Sequence, residues 1–212
     1  MNVLALFGVD QGFQHTSDSI KELLSNAEGL NVEAAEGLDS LNSSLADVDL
    51  VVFSIGFARV ERTNGGRRWV PSLSAEQEER LFAYVRGGGG IAAIHGAAWN
   101  IAGRYMDLLG GAANWHPPGL TFTVNIADSD HPALEGVADF EVEDEIYMTA
   151  CDPAVETLAT ARWQNRDHPV AWAKAYGDGR VFYTALGHGP STFEKPEMRR
   201  LLTQGARWAG GA

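Results

Sequence analysis

The sequence predicts an α/β fold built on a doubly wound parallel sheet, with an antiparallel extension in its C-terminal half. Three observations carry this. Apolar runs of strand length alternate with amphipathic segments through the first hundred residues. The run Ile91 to Ile94 enters a predicted helix directly through His95 and Gly96. Beyond residue 120 the pattern changes to strands alone, with Gly177-Asp178-Gly179 reading as a tight hairpin turn.

The elements follow in order. Asn2 to Gly8 is an apolar run of the buried parallel-strand type. Thr16 or Ser17 is placed to cap a helix that carries Ile20, Leu23 and Leu24 on one face. Asn31 to Ala35 and Asp49 to Ile55 give the second and third strands. Phe57 to Val70 reads as a long polar loop bearing Arg59, Arg62, Arg67 and Arg68, placed to cover a site or meet a second subunit. Ser74 with Gln77 three residues on makes a capping box for a helix that buries Leu81, Phe82 and Val85. Gly87 to Gly90 closes that helix. A helix is expected from Ala97. Later strands fall at Thr121 to Ile126, Phe140 to Val142, Glu156 to Thr160, Val170 to Ala175 and Val181 to Ala185. Glu197 to Trp208 is the closing helix. Right-handed crossovers restrict the parallel part to a doubly wound topology. With no repeat or linker, residues 1–212 read as one domain.

Composition excludes several classes of function. The chain has 212 residues and a formal charge of −12, from Lys+Arg 16 against Asp+Glu 28. Such an acidic surface repels phosphate backbones and anionic lipid, so neither nucleic acid nor membrane is expected as a partner. No apolar run approaches the roughly 18 residues that a membrane span needs. Cys151 is the one cysteine, which rules out an intrachain disulfide and suits a reducing, cytoplasmic setting. A homo-oligomer is compatible with the apolar hairpin and terminal helix.

Histidines and carboxylates carry the candidate chemistry. His95 stands where a buried strand turns into a helix, and in open α/β sheets ligands bind at the carboxyl ends of strands. His188 follows another predicted strand, between Gly187 and Gly189. His15 follows the first strand, so it too belongs to a carboxyl-end loop. His116 lies in the Pro-rich stretch Asn114 to Pro118 beside Trp115. Trp99 and Trp115 offer flat apolar faces of the kind that pack on sugar rings, and either would serve equally well in a core. Glu143, Asp144 and Glu145 precede Tyr147. This trio reads as a solvated acidic turn or as a source of an acid, base or metal ligand, with Glu145 the preferred member. His131 and His168 read as turn and strand residues. No HxH or HExxH spacing occurs, so a metal would have to be assembled from separate loops by His15, His95, His116 and His188. There is no phosphate-binding glycine signature. Ser191 and Thr192 are the hydroxyls near His188.

The segments GGGGIAAIHGAAW, GGAANWHP, DHPALEGVADFEVEDEIY, HPVAWAKAYGDGRVFYTALGHGPSTF and the terminal GARWAGG, in this order, resemble the ThuA-like family, named for trehalose utilisation. They cover most of residues 85 to 210. The resemblance implies a flavodoxin-like fold similar to class I glutamine amidotransferases, with the site at the strand–helix elbow. In those enzymes the elbow holds a cysteine; here it holds His95, and Gly189-Pro190 follows His188 with no glutamate nearby. Glutamine hydrolysis through a thiolate is therefore excluded. What the resemblance implies instead is carbohydrate catabolism on a disaccharide or keto-sugar. His95, His188 and Glu145 are the expected catalytic groups, acting by isomerisation or elimination, with a divalent metal as a candidate assistant. His15, Trp99, Trp115, His116 and Tyr147 are the expected sugar contacts. A sugar-binding or regulatory module without chemistry is the alternative.

Overall fold

The computed structural model describes residues 1–7, 14–99 and 104–211. Its first half runs β1 (Asn2–Phe7), α1 (Gln14–Ser25), β2 (Asn31–Glu36), β3 (Leu50–Phe53), β4 (Ala58–Thr63), β5 (Gly66–Pro71), α2 (Ala75–Arg86) and β6 (Gly90–Ile94). There follow α3 (Tyr105–Leu109), β7 (Gly111–Ala113), β8 (Leu120–Ile126), β9 (Phe140–Asp144), β10 (Thr149–Cys151) and β11 (Glu156–Trp163). The chain closes with β12 (Arg166–Tyr176), β13 (Gly179–Thr184), α4 (Pro190–Glu194) and α5 (Pro196–Ala209).

Nine strands form one sheet in the order β2-β1-β3-β6-β13-β12-β11-β8-β9. From β2 to β13 all neighbours are parallel. From β13 to β9 all are antiparallel. The α/β architecture with an antiparallel extension is thus as expected. The connection β1–α1–β2 steps one way along the sheet and β3–α2–β6 the other. Right-handed crossovers then put α1 and α2 on opposite faces. β3 and β6, covered on both faces, are buried at every position. Each fully buried aliphatic or aromatic side chain contributes about 1.5–3 kcal/mol relative to an exposed one. Ser74 and Gln77 form the expected reciprocal cap, and Leu81, Phe82 and Val85 are buried.

Four local expectations are corrected. Phe57 to Val70 is no loop: β4 and β5 form an antiparallel hairpin that pairs Val60 with Trp69. Its turn holds Asn64-Gly65, the strongest hairpin dipeptide, which the arginines around it obscure. Thr16 and Ser17 cap nothing. They lie inside α1, where Thr16 donates to the Gly187 carbonyl and Ser17 bonds Ser54. No α-helix starts at Ala97; a single 3-10 turn spans His95–Ala98, and Trp99 is extended. Finally, β9 continues through Asp144, so the acidic trio begins on a strand and is not a solvated turn. Gly8, the end of the first expected strand, lies outside the described residues.

Candidate functional site

The site begins at a register. β6 and β13 are parallel neighbours with Ile94 beside Thr184, so the residues after each leave the same sheet edge side by side. That brings His95 to His188 across 93 positions of sequence. His95 has φ +46, a backbone conformation that costs a non-glycine residue roughly a kcal/mol or more. Two contacts hold it there. The Tyr183 hydroxyl donates to the His95 carbonyl at 3.0 Å. The His95 ring Nδ1 lies 2.7 Å from the Ala185 carbonyl oxygen. A carbonyl only accepts, so Nδ1 carries the hydrogen and Nε2 presents its lone pair. Tyr147 donates its hydroxyl to that lone pair at 3.0 Å. The ring is fully buried, and desolvation holds its pKa down to about 4. His95 is neutral at pH 7.

Asp144 sets the rest. It ends β9 with its side chain buried, and its two oxygens accept four hydrogen bonds. One oxygen takes the Gly187 N–H at 2.8 Å and the Thr192 hydroxyl at 2.6 Å. The other takes the Glu145 N–H at 2.8 Å and the His188 N–H at 3.2 Å. One carboxylate thereby fixes the loop after β13 and the backbone that carries Glu145. Gly187 is needed at its position: φ is +122, and a Cβ would come within 2.9 Å of the Phe193 ring.

Glu145 then sits among three imidazoles. Its carboxylate oxygens lie 3.6 Å from His95 Nε2, 3.4 Å from His116 Nε2 and 3.3 Å from His188 Nδ1. His188 Nδ1 is 3.4 Å from His95 Nε2. His116 repeats the pattern of His95, with Nδ1 2.7 Å from the Pro117 carbonyl. Burial raises the Glu145 pKa, against the opposing pull of His188 and His116. Exposure is graded from 0% at His95 to 13% at Glu145, 27% at His116 and 58% at His188, so the cluster opens to solvent on the His188 side. Trp99 and Tyr147 form an aromatic wall, with ring centroids 5.0 Å apart, and His116 stacks on Tyr147 at 5.7 Å. This places a buried neutral ring, a carboxylate and two more accessible imidazoles around one point. Such a set can bind an oxygen, move a proton or hold a cation.

The structure brings together His95, His188, Glu145, His116, Tyr147 and Trp99. His15 is exposed in the first turn of α1, beside Thr16, whose hydroxyl reaches the Gly187 carbonyl. Among the described residues, the side chains whose ligand atoms meet closely enough for a metal are His95, Glu145 and His188. The proposed four-histidine set is thereby corrected: a carboxylate replaces His15, and His116 stands one step outside. Trp115 is half exposed beside the site and packs on Trp163, ring centroids 5.8 Å apart. His131 accepts from the Ala133 N–H at a turn, and His168 lies in β12. The Thr192 hydroxyl is committed to Asp144. Burial raises the Cys151 thiol to about 11, which suits no nucleophile.

Sequence reasoning named Asp144 only as one of the acidic trio, and it missed Tyr183. Asp144 shares a strand face with Phe140 and Val142, and a charge on the buried face of an alternating strand is itself a signal. Tyr183 lies in an apolar run that gave no sign of its hydroxyl's task.

Known proteins agree with this architecture. In solved structures the chain is similar to a ThuA-like protein from Parabacteroides merdae ATCC 43184, at 20% identity and TM-score 0.81, covering 100% of this chain and 90% of that one. It is similar to another from Bacteroides uniformis ATCC 8492, at 17% identity and TM-score 0.76, over 99% and 91% of the two chains. A β-galactosidase from Bacillus circulans sp. alkalophilus contains the same fold, at 12% identity and TM-score 0.69, over 98% of this chain and 31% of that one. No curated protein matches. Among the described residues, no helix is long and apolar enough to cross a membrane. The ThuA family model, described as trehalose utilisation, matches residues 3–209, and the chain belongs to that family.

Proposed function

We propose that this protein is an enzyme of carbohydrate breakdown that moves a proton next to the carbonyl of a keto-disaccharide. The observation that carries the reading is the Glu145 carboxylate, desolvated and within 3.3–3.6 Å of three imidazole nitrogens. A carboxylate whose pKa is raised by burial is a stronger base than one in water, and the His116 ring beside it can share the proton it takes. The family's link to trehalose points to a disaccharide. Trp99 and Tyr147 offer the apolar wall for a ring face.

For a 3-keto-glycoside the steps balance as follows. The Glu145–His116 pair takes the proton from C2. The C2–H electron pair forms an enolate whose oxygen is the former ketone oxygen. The enolate reforms the ketone, its electrons make the C1–C2 double bond, and the C1–O bond breaks toward the leaving sugar. His188, the most exposed imidazole, supplies the proton that the leaving oxygen needs. Without loss of the leaving group, reprotonation gives isomerisation. Direct glycoside hydrolysis fits less well, because it uses two carboxylates across the bond. Here Asp144 already accepts four hydrogen bonds.

The test is product formation from 3-keto-trehalose. Wild type should release glucose, and Glu145→Gln should slow release by about a thousandfold, in the range expected for loss of an acid–base group. Tight binding with no product on long incubation would make the protein a sugar-binding module instead.

A further inference from the structure

We propose that His95 Nε2, His188 Nδ1 and a Glu145 carboxylate oxygen form a binding site for a divalent first-row transition metal, of the Zn²⁺ or Fe²⁺ kind. Geometry is the first support. Nitrogen and oxygen ligands about 2.1 Å from a common ion at tetrahedral angles stand about 3.4 Å from one another. His95 Nε2 and His188 Nδ1 stand 3.4 Å apart, with Glu145 Oε2 3.6 Å from the first and Oε1 3.3 Å from the second, and one ligand atom from each residue lies within 4.8 Å of the other two.

The second support is tautomeric. His95 and His116 each spend their Nδ1 hydrogen on a main-chain carbonyl, at 2.7 Å in both cases. Each therefore turns an Nε2 lone pair toward the Glu145 carboxylate. Metal-ligating histidines are held in this way, with the far nitrogen donating to a carbonyl that fixes ring and tautomer. His95 Nε2, which accepts from the Tyr147 hydroxyl, is thereby set as an acceptor beside a carboxylate, the arrangement a cation complements. The third support is rigidity. Asp144 clamps the backbone of both His188 and Glu145, while Tyr183 holds that of His95, so three ligands from three separate segments are fixed.

The donor set selects the class of ion. Two imidazoles and a carboxylate suit Zn, Fe, Co or Ni, whereas Mg²⁺ and Ca²⁺ prefer all-oxygen shells. Three protein ligands leave at least one position for a sugar oxygen. The second Glu145 oxygen then stays with His116, at 27% exposure, as the proton-transfer pair, and His188 keeps Nε2 for donation. What the ion does for the sugar, drawing electrons from the ketone oxygen, rests on the proposed function; its binding does not. Tyr147 competes with it, since its hydroxyl occupies the His95 lone pair.

The test uses untagged full-length protein, stripped with a chelator and titrated with ZnCl₂ by calorimetry and with CoCl₂ by visible absorption. One equivalent of Zn²⁺ should bind with Kd below about 1 µM, and Co²⁺ should give d–d bands. Glu145→Gln and His188→Ala should each weaken binding by at least about thirtyfold. Exposed His15→Ala should change nothing, and Tyr147→Phe should bind as tightly as wild type or more so. Circular dichroism checks that each variant is folded. No saturable binding at 100 µM metal, or binding that survives both Glu145→Gln and His188→Ala, overturns the site. Metal binding without sugar turnover would keep the site and refute the proposed function, and turnover with no saturable metal binding would do the reverse.

Discussion

Asp144→Asn is the substitution whose cost can be worked out most fully from the site. The carboxylate accepts from Gly187 and Thr192 on one oxygen and from Glu145 and His188 on the other. Asparagine keeps one acceptor and gains two donors. With its amide nitrogen toward Gly187 and Thr192, the threonine hydroxyl can rotate to accept, but the Gly187 N–H meets another donor. With the amide turned over, both the Glu145 and His188 N–H groups lose their acceptor. The first orientation is cheaper, and it still removes one charge-assisted bond and orphans one buried N–H. At about 1.5–3 kcal/mol for such a bond and 1–3 for the orphan, with partial relaxation, the loss is about 2–4 kcal/mol. For a chain of this size that corresponds to a fall in Tm of about 4–16 °C. Urea and thermal unfolding followed by circular dichroism read both quantities. The same variant should lose sugar turnover at temperatures where it is fully folded, because His188 and Glu145 are no longer held over His95. A loss under about 0.5 kcal/mol with wild-type turnover would refute the clamp.

Two further predictions concern titration. His95 has its pKa depressed by burial from 6.5 to about 4, so the folded state binds fewer protons than the unfolded state between those values. Its contribution is present above pH 6.5 and is lost as pH falls toward 4. That loss amounts to about 3 kcal/mol, and urea midpoints of metal-free wild type should fall more steeply across this window than those of His95→Asn. Cys151, raised from 9.0 to about 11, should react with iodoacetamide at pH 8 about a hundredfold more slowly in the native protein than in urea, and equal rates would contradict its burial.

The fold was legible in the sequence because its signals are local. Buried parallel strands read as apolar runs, the Ser74–Gln77 box marks a helix start, and Gly177-Asp178-Gly179 marks a hairpin. The site was legible in part for the same reason: His95 and His188 each end a strand, and strand ends converge. Glu145 stood out only as the preferred member of the acidic trio. Neither the register that seats β6 against β13 nor the return of the chain from β9 at the far sheet edge is a local signal. His15 shows the limit. It too follows a strand, yet it lies exposed within α1 and not on a carboxyl-end loop. Asp144 was visible as one of three acids, but its role depends on four donors from segments up to 48 residues away. Tyr183 acts through a hydroxyl on an otherwise apolar strand, which periodicity cannot distinguish from core.

The central claim is that Glu145 and its imidazoles remove a proton next to a sugar carbonyl. It is tested most directly by proton NMR of 3-keto-trehalose incubated with the protein in D₂O. Wild type should exchange or eliminate the C2 hydrogen, and Glu145→Gln, with its fold intact, should leave that signal at the uncatalysed rate. A C2 hydrogen that survives as long with wild type as with buffer alone would contradict the account.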